Sequence, residues 1–141
     1  MIIVFPDEND LSSKALTRSI ALVGGDARYT HIDVALDKPL GGPFHQPTRT
    51  AKDLPDFLRE IRKKFHVDVD RVYLFGVNAG ANAAWIAAMM YPNHFAGVIA
   101  ISGFPHMPYP EQTYALLLPN MRGTSLFAYW FEPIQGEPDP V

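Results

Sequence analysis

Short apolar runs recur along this chain with room for a helix between most of them. Met1–Phe5 (MIIVF), Arg71–Phe75 (RVYLF), Phe95–Ile101 (FAGVIAI) and Ser125–Trp130 (SLFAYW) are nearly continuous in apolar residues, and Ala27–Leu36 alternates with β-branched ones. Such runs suit strands buried on both faces, as in a parallel sheet. The stretches between them carry helical spacing. Leu11–Val23 puts Leu11, Ala15, Ile20 and Val23 roughly on one face, with Asp10 as a plausible N-cap and Gly24-Gly25 as a stop. Thr50–Phe65 places Leu54, Phe57, Leu58, Ile61 and Phe65 on one side. Asn78–Met90 is alanine-rich, and Gln112–Leu118 reads as a short helix. Lys38–Pro47 is rich in Pro and Gly and reads as a surface loop.

Strands alternating with helices predict βαβ units. The expectation is one domain over residues 1–141, a three-layer α/β/α sandwich with about five parallel strands. In such sheets function gathers in the loops after the carboxyl ends of the strands. Those loops are Pro6–Asp10, Leu36–Pro47, Gly76–Gly80, Ser102–Tyr109 and Phe131–Asp139.

Composition narrows the chemistry. Of 141 residues, 48% are hydrophobic and 19% charged, which describes a packed domain and not a disordered tail. The 12 Lys+Arg are scattered against 15 Asp+Glu, so no basic stripe for nucleic acid exists. The one basic cluster, REIRKK at Arg59–Lys64, lies on a helical pattern and reads as a solvated face. Cysteine is absent, which excludes disulfides, thiolate catalysis and Cys-based zinc sites. No apolar run approaches the roughly 18–20 residues that span a bilayer. The amino end is apolar over Met1–Phe5 only and has no basic leader, so no signal peptide is expected. A strand starting at the first residue suggests a piece of a longer protein, and the compartment stays open.

The segment Gly76-Val77-Asn78-Ala79-Gly80 matches the nucleophile elbow Gly-x-Ser-x-Gly at every position except its centre. The glycines are needed because strand and helix crowd together around a strained central residue. An apolar strand precedes the turn and an alanine-rich helix follows. Val69–Gly103 (VDRVYLFGVNAGANAAWIAAMMYPNHFAGVIAISG) resembles the central segment of the α/β-hydrolase superfamily, in particular its esterase and phospholipase/carboxylesterase-like members. The landmarks are Asp68, Arg71, Val72, Tyr73, Tyr91, Pro92, Phe95, Ala96, Ser102 and Gly103. More weakly, LLLPNMRGTSLFAYW resembles the segment leading to the acid-bearing strand. The resemblance implies strand order 2-1-3-4-5 and an incomplete core. The family's first antiparallel strands and its final His-bearing strand and helix have no counterpart.

The family places Ser on the elbow, an Asp after a later strand and a His near the carboxyl end. Here Asn78 holds the nucleophile position, and a carboxamide has neither a useful proton nor an attacking lone pair. Asp139 stands where the triad acid could fall, yet all of His31, His45, His66, His94 and His106 precede it. His106, in SGFPHMP, is the candidate base, with an ordinary surface histidine as the plainer reading. Within the superfamily, dehalogenases and epoxide hydrolases carry Asp on the elbow, one group away from Asn78, but the base would still be lacking.

An oxyanion hole would use the Ala79 N–H and an amide near Glu8 and Asn9. The family often has His-Gly-type sequences in that loop. Its acidic character here (Asp7, Glu8, Asp10) opposes a developing negative charge. Those carboxylates suit helix capping better than metal binding. Phe104, Tyr109, Tyr114, Trp130 and Phe131 gather near the carboxyl edge. Of these, Phe104, Tyr109, Tyr114 and Phe131 form a candidate pocket for a small apolar or ester-like ligand, while Trp130 and Trp85 are expected in the core.

The expectation is an α/β-hydrolase-like domain without hydrolase activity, needing no cofactor or metal. Two alternatives stand. One is a serine-type carboxylic ester hydrolase whose nucleophile was replaced and whose His lies outside this chain. The other is a structural or homo-oligomerising domain with open sheet edges, in contact with copies or with further chain.

Overall fold

A computed structural model describes residues 1–6, 12–23, 32–35, 47–103 and 115–130. Its elements in chain order are β1 (Ile2–Phe5), α1 (Ser12–Val23), β2 (Asp33–Ala35), α2 (Pro47–Lys64), β3 (Tyr73–Val77), α3 (Ala79–Met90), β4 (Gly97–Ile101) and β5 (Ser125–Tyr129). The five strands form one sheet in the order β2-β1-β3-β4-β5, and every pairing is parallel. The expected order and class are therefore observed.

The pleat explains why these runs are apolar throughout. Side chains alternate between the two faces of a strand, so a strand covered on both sides cannot afford a polar row. Ile2, Val4 and Phe75 pack with Ala15 of α1 on one face. Ile3, Phe5, Leu74, Val98 and Ala100 point the other way, into the cluster built with α2 and α3. In register, Phe75 lies opposite Val4 on one side and Ile99 on the other.

Helix α3 sits directly on the sheet. Nine of its residues are buried, six of them Gly or Ala, so its backbone approaches the strands closely. At its far end the Tyr91 N–H donates to the Ala87 carbonyl (2.9 Å), and Asn120 Nδ2 donates to the Met89 carbonyl (2.9 Å). The latter ties α3 to the 3-10 turn Leu118–Gly123. Helix α2 begins at Pro47, earlier than its apolar stripe, because Pro is well suited to the first turn. It buries Leu54, Leu58 and Ile61.

Three expectations about side chains are corrected. Ile20 is 51% exposed, since the buried face of α1 runs through Ala15 and Leu16 and Ile20 is rotated away from it. Phe65 follows the last turn of α2 and is exposed. Trp130 is 49% exposed at the end of the edge strand β5, whereas Trp85 is in the core as expected. The second strand is described only at Asp33–Ala35, and Asp10, residues 24–31 and residues 36–46 lie outside the described residues. Among the described residues, no helix is long and apolar enough to cross a membrane.

Candidate functional site

The carboxyl ends of β1, β3 and β4 converge on the first turn of α3. Strand β3 passes into α3 through Asn78 alone, the helix N-cap, with φ 51° and ψ −117°. Positive φ is costly for most side chains and is better tolerated by Asn than by most residues. The Asn78 N–H donates to the Ile101 carbonyl (2.9 Å), which continues the β3–β4 ladder one residue beyond the strand. The Asn78 carbonyl then accepts from the Asn82 N–H (3.2 Å), an i→i+4 bond of the helix. The backbone of Asn78 thus serves the sheet with its donor and the helix with its acceptor. Its side chain is exposed and does not cap α3.

The flanking glycines are sterically required. A Cβ on Gly76 would overlap the Gly80 carbonyl, and a Cβ on Gly80 would overlap the Phe5 carbonyl of β1. Gly103 closes the other side, where a Cβ would come within 2.5 Å of the Asn78 carbonyl oxygen and collide with Ala81. Three segments distant in the chain therefore meet backbone to backbone.

Sequence reasoning did not single out Ser102 for its backbone. It has φ 54°, the second positive-φ non-glycine residue among those described, and its N–H donates to the Tyr129 carbonyl (2.7 Å). This bond joins the ends of β4 and β5, one residue after the Ile101 carbonyl that accepts from the Asn78 N–H. The only sequence signal was the Ser-Gly pair ending an apolar run.

Of the other site candidates, Ala79 is the first residue of α3, where the N–H groups of a helix have no intrahelical acceptor. Glu8, Asn9, Phe104, His106, Tyr109, Tyr114, Phe131 and Asp139 lie outside the described residues, as do His31 and His45. His66 follows α2 and is exposed. His94 ends the 3-10 turn Pro92–His94, on the approach to β4, so it stands at the amino edge of the sheet and away from Asn78. Among the described residues no group of three His, Asp or Glu could hold a metal ion.

No protein-family model matches this chain, and no curated protein matches it. Solved structures do resemble it. A thermostable esterase aligns with TM-score 0.52 and 19% identity over 92% of this chain. A carboxylesterase from Mesorhizobium loti aligns with TM-score 0.60 and 11% identity, covering 94% of this chain and 79% of that one. A protein described as a "predicted CIB-like hydrolase" from Thermoplasma acidophilum aligns with TM-score 0.56 and 14% identity, covering 93% and 75%. This chain spans 46% of the length of the thermostable esterase. Sheet order, helix placement and these likenesses agree that the chain has an α/β-hydrolase-like fold.

Proposed function

We propose that this is an α/β-hydrolase-like domain that does not hydrolyse esters, in which a nucleophile elbow persists as a backbone feature. One observation carries the reading: the apex of the strained turn between β3 and α3 is a carboxamide, Asn78. The turn joins sheet to helix through its backbone, so its geometry has a structural reason that outlasts any chemistry. A serine hydrolase needs an attacking oxygen and a base to take its proton. Asn78 supplies neither. The Ala79 N–H, at the first position of α3, is a donor suited to holding the carbonyl of a small apolar or ester-like ligand.

The purified chain is expected to show no turnover of p-nitrophenyl acetate or butyrate above the buffer rate. Asn78→Ser alone should gain less than about tenfold, because a hydroxyl without a general base forgoes about 10²–10⁴-fold of assistance. Steady-state assays of both proteins, with a serine-directed phosphonate as titrant, check this. Strong activity in Asn78→Ser that His106→Ala then abolishes would mean a working dyad, and the reading fails.

A second reading, self-association, is favoured by β5. Among the described residues it is the sheet edge beyond β4, and Leu126, Phe127 and Tyr129 are exposed on it, Phe127 at 59%. Thr124–Trp130 contains no charged residue, so the strand lacks the charges that commonly block edge pairing. The occupant would be β5 of a second copy. Sedimentation equilibrium should then show a dimer that Phe127→Lys converts to monomer. A monomeric parent chain at high concentration would remove this reading.

A further inference from the structure

Most of the basic segment after Leu58 is exposed, as expected of a solvated face, while Arg62 is half-buried. A cleft of about 400 Å³ lies between the second half of α2 and the turn ending at His94, lined by Pro55, Leu58, Arg59, Arg62, Lys63 and His94. It stands at the amino edge of the sheet, since α2 leads toward β3 and His94 leads toward β4. Asn78 is at the opposite edge, so the cleft is independent of the turn and of its proposed role.

Most of the lining offers N–H donors, and the described carboxylates beside it are loosely held. Arg59 pairs with Asp56 (2.8 Å) and Lys63 with Glu60 (2.7 Å), each between side chains that are at least 60% exposed. Exposed pairs of that kind are weak and exchange readily for a better acceptor. Arg62 is half-buried, and its Nε is buried with no hydrogen-bond partner among the described residues. A guanidinium held partly out of water attracts an anion more strongly than one on an open surface, because the local dielectric is lower. The His94 ring is steadied by Tyr91 (centroids 5.9 Å, T-shaped) and by Phe95 (6.3 Å). Pro55 and Leu58 supply an apolar wall.

We propose that this cleft binds a phosphomonoester, with the phosphate held by Arg59, Arg62, Lys63 and His94 and its organic group against Pro55 and Leu58. Phosphate fits better than carboxylate because a carboxylate has only two oxygens, enough for one guanidinium fork. Phosphate offers more acceptors and about twice the charge. The cluster is confined to one cleft on a chain of net charge −3, which does not suit a nucleic-acid backbone.

Phenyl phosphate is the probe, followed by nuclear magnetic resonance on the folded chain. The expected result is saturable shifts at Arg59, Arg62, Lys63 and His94, with little change at Asn78. Affinity should fall at least about tenfold in Arg62→Gln and again at about 0.5 M salt, where charges are screened within a few ångströms. Lys64→Gln, a neighbouring cation outside the cleft, should bind like the parent. Arg62→Lys keeps the charge without the fork and should bind more weakly than the parent, provided its melting temperature matches. Vesicles containing phosphatidic acid separate the two sources of this chemistry. Competition with phenyl phosphate indicates a lipid headgroup, and its absence a soluble phosphomonoester. No saturable shift up to about 10 mM phenyl phosphate, where even a weak ~1 mM site would be filled, overturns the proposal. So does equal loss of affinity in Arg62→Gln and Lys64→Gln.

Discussion

Gly80→Ala is expected to destabilise the fold by about 3 kcal/mol or more, at or beyond the upper end of ordinary overpacking. Its Cβ would meet the Phe5 carbonyl, which is backbone in a strand buried on both faces and cannot rotate aside as a side chain would. Relief requires α3 to lift from the sheet. That would separate α3 from β1 and strain the Asn78 N–H bond to Ile101. Gly123→Ala is the control, because nothing among the described residues lies within 4 Å of the added carbon there. It should be neutral or stabilising by up to about 1 kcal/mol through the unfolded state. Urea denaturation of both variants decides the matter. Comparable midpoints would mean that α3 does not press on β1 as described.

Phe75→Ala is the second large effect, expected to cost about 3–5 kcal/mol. Phe75 is 1% exposed in the middle of β3 and is the largest side chain in the cluster beneath α1, where its partners are Ile2, Val4 and Ala15. Among the described residues that cluster is small, so its loss should weaken α1 before the rest of the domain. Hydrogen exchange should show backbone protection falling over residues 12–23 more than over α3, whose contacts lie on the other face. Tyr73→Ala, in the same strand but exposed, should cost about 1 kcal/mol or less. Uniform loss of protection across α1 and α3 would show that the two faces unfold as one unit.

Much of the architecture was legible in the residues. Continuous apolar runs spaced by helical patterns require a parallel sheet covered on both faces, because only there are both rows of a strand dry. The paired glycines around Asn78 announced a close strand-to-helix turn, since only glycine leaves room for such an approach. The identity of Asn78 motivates the proposal of a domain without ester hydrolysis before any coordinates, as a carboxamide is a poor nucleophile wherever it is placed.

What the sequence could not determine depends on elements far apart in the chain. Nothing near Gly80 in sequence reveals that its obstacle is Phe5, and nothing near Ser102 reveals the bond to Tyr129 that accompanies its positive φ. Ile20 and Trp130 are apolar yet exposed because periodicity describes an element and not the partners that cover it. The basic residues after Leu58 look like any solvated helical face until the fold brings His94 opposite them. Local sequence determines which residues form a strand, a helix or a turn through backbone sterics and side-chain period. Which face is covered, which edge stays open and which charges share a cleft are settled only by long-range packing.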